Sequence, residues 1–104
     1  MAIFEQRVLE NDIIMKICMN TKLPFAERIF LITLARLVDD EGKVTIRRQA
    51  LSLVTGIKLV TLLKNREKLV QKGLLSYKPY ETEEGFKIPH EYTLNIDKIM
   101  GREQ

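Results

Sequence analysis

The chain has 104 residues, with 17 Lys+Arg against 14 Asp+Glu, 45% apolar and 30% charged content, one Cys, one His and no Trp. That length fits one domain with one hydrophobic core, and the apolar share is that of a folded chain. One Cys and one His exclude an internal disulfide and a Cys/His zinc site, and the most apolar stretch, Ile29 to Ala35, is far shorter than the about 20 residues a bilayer requires.

The start, Met1-Ala2-Ile3-Phe4-Glu5, lacks the basic opening and apolar core of a signal peptide, which predicts a cytoplasmic protein with no cofactor, metal or membrane contact. Residues Ala2 to Leu9 mix apolar and charged side chains and fit an arm, a strand or a helix start equally. Asp12 is a natural N-cap for a short helix through Met19, in which the methionines and Cys18 are expected to fill core. Leu23-Pro24-Phe25-Ala26-Glu27 opens a second helix, because proline is tolerated in the first turn. That helix is expected to run to about Val38 and to stop at the acidic turn Asp39-Asp40-Glu41-Gly42, which lacks the alternating ligands of a calcium loop. Its stretch Ile29 to Ala35 is apolar on nearly every face, which predicts burial against the core on one side and a second subunit on another, hence a homodimer.

Lys43 to Ile46 is β-prone, and Arg47 to Val54 reads as a helix with Ala50, Leu51 and Val54 on one side. Thr55-Gly56-Ile57 breaks it, and a further helix runs from about Lys58 to Lys72 before Gly73. After Gly73 the apolar period changes to two. Leu75 to Lys78 and Phe86 to Leu94 read as strands joined by Glu81 to Gly85, with Pro79 and Pro89 suited to an edge. Asn95 caps a last turn, Ile96 to Met100. The expected division is an arm and short helix over 1–22, a main domain over 23–95 and a tail over 96–104.

The charge is unevenly spread. From Lys43 to Lys78 there are nine Lys/Arg and one Glu, a net of +8, and the remainder carries −5. A basic block of this kind suits a polyanion. Two helices joined by a short Gly turn make a helix-turn-helix, whose second helix enters the major groove. At about 100° per residue, Thr61, Lys64, Asn65, Lys68 and Lys72 share one polar face, with Lys58 at its margin. On this reading Lys64 or Lys58 reaches guanine O6/N7, Asn65 pairs with adenine, and Lys68 and Lys72 meet phosphates.

The element order is that of an α+β winged helix: a three-helix helix-turn-helix core with a C-terminal two-stranded β-hairpin wing, preceded by an extra short helix. Val44-Thr45-Ile46, Ala50-Leu51, Leu53, Val54-Thr55-Gly56-Ile57, Thr61-Leu62, Lys64-Asn65 and Lys68 to Leu75 resemble the winged-helix N-terminal domains of phage and plasmid replication proteins, and the related primosome-type domains of Gram-positive bacteria. The likeness covers roughly Leu23 to Tyr77. It implies a protein of replication or transcription control that binds double-stranded DNA, with Arg47, Arg48 and Gln49 beside the backbone. Lys78 and Lys87, at the base of the wing, are further expected backbone contacts.

Three features depart from that pattern. Leu59, Val60 and Leu63 stand in the front half of the reading helix, where the family usually shows polar residues. Arg66 stands where it shows an apolar one, which predicts either a rotated helix or an arginine that snorkels to the edge. The wing tip carries Glu81, Glu83 and Glu84, although a wing on phosphates is normally basic. These departures suit an alternative, a module that binds a replication or transcription protein through Leu59, Val60, Leu63 and the acidic wing. His90 alternates with apolar strand residues, Cys18 sits in an apolar helix, and Ser52 and Ser76 lack a base at any recognisable spacing, so a non-enzyme is expected.

Overall fold

A computed structural model of the chain describes residues 12–79 and 90–102. Ala2 to Leu9, the acidic segment Glu81 to Gly85, and Phe86, Lys87, Ile88 and Pro89 lie outside them. Helix α1 (Ile13–Met19) begins where Asp12 Oδ1 accepts hydrogen bonds from the N–H groups of Ile14 and Met15, at 2.9 and 3.3 Å. Helix α2 (Phe25–Leu37) starts at Pro24 and ends at Val38, which turns to extended backbone. Asp39 then closes the acidic turn, its Oδ1 accepting from the N–H groups of Glu41 at 2.8 Å and Lys43 at 3.1 Å. The acid cluster thus acts locally, leading the chain into strand β1 (Lys43–Ile46).

Helices α3 (Arg48–Thr55) and α4 (Leu59–Gln71) are joined at Gly56, whose φ of 74° lies in the left-handed region that glycine enters without strain. Two hydroxyls brace this turn. Ser52 Oγ donates to the carbonyl of Ile57 at 2.6 Å, while Thr55 Oγ1 donates to the carbonyl of Leu51 at 2.8 Å and accepts from the N–H of Ile57 at 3.2 Å. Strands β2 (Leu75–Pro79) and β3 (His90–Leu94) follow, and Asn95 caps α5 (Ile96–Ile99) by accepting from the N–H of Lys98.

The result is an α+β arrangement with five helices and one three-stranded antiparallel sheet among the described residues. The strand order is β1-β3-β2, with Val44 opposite Tyr92, Ile46 opposite His90, and Tyr77 opposite Tyr92. β3 is therefore the central strand, with β1 on one side and β2 on the other. Pro79 closes edge strand β2, where its missing N–H goes unneeded. Helices α2 and α4 pack together and against the sheet. Phe30, Leu31, Leu34, Leu51, Leu62, Leu69 and Tyr92 are fully buried between them, and the Phe30 ring meets Tyr92 edge-on at 6.1 Å. Ile17 from α1 and Ile96 and Ile99 from α5 join the same cluster.

Two packing expectations need correction. Cys18 and Met19 face outward, Met19 at 60% exposure, because the seven-residue α1 turns only Ile17 fully inward. On α3, Leu51 is buried but Val54 is 60% and Leu53 82% exposed, since two helical turns bring one stripe to the core. Along Ile29 to Ala35, one face is buried within the single chain: Phe30, Leu31 and Leu34 are inside, whereas Ile29, Ile32, Thr33 and Ala35 are half-buried.

Candidate nucleic-acid interface

Helix α4 divides lengthwise. Leu62, Asn65 and Leu69 recur at i, i+3 and i+7 and point inward. Thr61, Lys64 and Lys68, offset by one residue, have the same spacing and are all exposed. Lys58 is the N-cap of α4, and Arg47 is the N-cap of α3, followed by the exposed Arg48 and Gln49. Neither cap side chain accepts from the helix, and neither first turn carries an acid. Both helices thus begin with a positive dipole end, basic side chains and no competing carboxylate, the arrangement that attracts phosphate.

The nine cations of the basic block fall into two groups. Lys43 pairs with Glu41 at 3.4 Å, Lys72 with Glu27 at 2.5 Å, and Lys78 with Glu91 across the β2–β3 ladder at 3.7 Å. Arg66 is folded inward. Its guanidinium lies 4.0 Å above the ring of Tyr77, its Nη1 donates to Tyr92 Oη at 3.4 Å, and its Nε is 3.6 Å from Glu67. The arginine thus reaches the edge of the core and stacks there, as the snorkelling alternative expects. Arg47, Arg48, Lys58, Lys64 and Lys68 make no ion pair among the described residues. Within the basic block, these five are the cations left without a carboxylate among the described residues.

Two residues expected on the polar face of α4 have other surroundings. Asn65 is 8% exposed, because a residue three after Leu62 and four before Leu69 lies on the inward stripe; its Nδ2 has no hydrogen-bond partner among the described residues. Lys72 reaches back to a carboxylate that is 1% exposed, so its charge is paired with Glu27 although the lysine itself stays open to water. Lys78 stays exposed beside its cross-strand partner, and Lys87 lies outside the described residues. Of the three apolar residues, Leu59 packs against the core, Leu63 is half-buried, and Val60 is 68% exposed.

Where α4 meets the sheet, an aromatic cluster surrounds His90, which stands 5.5 Å from Tyr77 and 6.2 Å from Tyr92. Burial pushes the His90 imidazole below its ordinary pKa, and the charges of Arg66 and Arg48 push the same way. Tyr77 donates to Glu67 Oε2 at 2.6 Å; that bond and burial hold its hydroxyl above the usual tyrosine range, against the opposing pull of Arg66. The period-two spacing sets His90, Tyr92 and Leu94 on one face, with Phe86 and Ile88; that Tyr77 and Arg66 join them is what the sequence did not show.

Among the described residues no helix is long and apolar enough to cross a membrane, and no group of three or more His, Cys, Asp or Glu could hold a metal ion. The chain matches no protein-family model, no curated protein and no solved structure.

Proposed function

We propose that this chain is a winged-helix DNA-binding protein of the kind used in phage or plasmid replication or in transcription control. α3, the Gly56 turn and α4 form its helix-turn-helix, and β2 and β3 form the base of its wing. The observation that carries the reading is the set of five cations, without an ion pair among the described residues, at the starts of α3 and α4 and along the outer row of α4. In this reading α4 lies in the major groove of duplex DNA. Lys64 is the residue for guanine O6/N7, Thr61 lies beside it, and Lys68 meets phosphate. Arg47, Arg48, Gln49 and Lys58 hold the flanking backbone and set the register.

The test is a fluorescence-anisotropy titration of the full chain against random duplex DNA at two salt concentrations. The expected outcome is binding that weakens steeply with salt, because each neutralised phosphate releases counterions. Undetectable affinity at low salt refutes the reading.

A second reading, a protein-binding module, is favoured by one observation: Leu53 and Val60, apolar residues of α3 and α4, are 82% and 68% exposed. Changing both to serine would leave duplex affinity intact and remove the partner contact. A large loss of DNA affinity in that variant would count against the second reading.

A further inference from the structure

Helix α2 has a second apolar face. Glu27, Phe30, Leu31 and Leu34 turn to the core. Phe25, Ile29, Ile32 and Arg36 fall within an arc of roughly 60° on the opposite side, at about 100° per residue; Ile29 and Ile32 are half-buried there, Ile32 packing against the core cluster, beside a shallow groove that Cys18 of α1 also lines. Phe25, 71% exposed, projects from the N-terminal end of this face, with the Arg28 guanidinium of its own chain 6.0 Å from its ring centroid. At the C-terminal end, Thr33, Arg36, Leu37 and Val54 line a shallow groove between α2 and α3. Knob and groove are thus eleven residues apart on one helix, about 16 Å at 1.5 Å per residue. The flanks are also opposed in charge. Exposed Lys22 precedes α2, and exposed Asp39 and Asp40 follow it.

We propose that a second copy of this chain covers this face, with the two α2 helices antiparallel about a two-fold axis. A closed two-fold contact requires a surface that carries its own complement, and this one does. Antiparallel pairing sets Ile29 against Ile32 of the other copy. It lays each Phe25 into the other copy's groove, beneath the Arg36 guanidinium, a favourable cation–π arrangement. It also brings the Lys22 end of each helix to the Asp39–Asp40 end of the other and opposes the helix dipoles. A parallel arrangement would bring like charges together at both ends. None of the five unpaired cations belongs to this face, so the pairing stands or falls independently of DNA binding.

The test is the solution mass of the full chain by sedimentation velocity, without nucleic acid, over a range of concentrations. The wild type is expected to sediment at twice the mass of one chain. Phe25→Lys sets a cation against Arg36 of the other copy and is expected to give single chains with an unchanged helical circular-dichroism signal. Adding Arg36→Glu to Phe25→Lys is expected to restore the double mass. Because the two positions do not touch within one chain, that rescue can act only between copies. Leu37→Lys, at a position 49% exposed, gives a second route to single chains if Phe25→Lys loses its helical signal. The proposal is overturned if the wild type sediments as single chains throughout, including the case where removing residues 1–11 then permits pairing. It is also overturned if the dimer survives both lysine variants, or if the double variant fails to re-form it.

Discussion

Lys72 Nζ lies 2.5 Å from Oε1 of Glu27, joining the end of α4 to a carboxylate 45 residues earlier that is itself 1% exposed. Leaving such a carboxylate unpaired is costly. Lys72→Met is expected to lower stability by about 3 kcal/mol, near the low end for breaking a buried pair, because the lysine side stays open to water. Urea denaturation measures this. Duplex affinity should change less than two-fold, and a loss as large as that of Lys68→Ala would return Lys72 to the interface.

Lys64→Ala, Lys68→Ala and Arg47→Ala each remove an unpaired cation. Each is expected to weaken duplex binding and to lower the slope of log affinity against log salt by about 1. Lys43→Ala, which removes a cation already paired with Glu41, is the control and should leave the slope unchanged. Equal effects from all four would mean that the intramolecular pairs do not select the contacts.

Asn65 tests the inward stripe of α4. Replacing a buried amide whose Nδ2 lacks a partner with an apolar residue of similar size removes a desolvation penalty. Asn65→Leu is expected to be neutral or to stabilise by about 1 kcal/mol in thermal melts, with base preference unchanged. Relaxed base preference in this variant would contradict the burial.

His90 gives the stability a defined pH dependence. Burial, with Arg66 and Arg48, lowers its proton affinity in the folded chain. The unfolded chain therefore binds more protons just below the ordinary imidazole pKa of about 6.5. Its contribution to stability is fully present above that value and is lost as pH falls through it. Melting temperatures should decline as pH falls below about 6.5, and His90→Gln should flatten the decline. A variant that follows the wild-type curve would show that carboxylates alone set it.

Local signals made much of the helical layout legible: the Asp12 cap, Pro24 at the start of α2, and glycines at 42, 56 and 73 mark boundaries set by nearby backbone chemistry. The strands were legible too, but not that β1 would pair with β3, since strand pairing depends on elements far apart in sequence. The candidate interface was read less well for the same reason. Helical spacing put Asn65 within reach of both the core and the lysine row, and only the packing of α4 on α2 decides between them. Nothing local to Lys72 reveals Glu27. Arg66 differs, because its cost in an apolar setting already required an outlet, and Tyr77 supplies it.

The ladder that sets Ile46 against His90 also constrains how the molecule assembles. Closing it brings together residues 44 positions apart and encloses all of α3 and α4 in the loop. Chain-closure entropy opposes that step until the enclosed helices supply packing in return. Strand β1 is therefore expected to join late in folding and to detach early in unfolding. Because α3 follows β1 directly, any fraying of β1 would release the arginines at the start of α3 from their fixed position, coupling the order of the sheet edge to the placement of the basic residues.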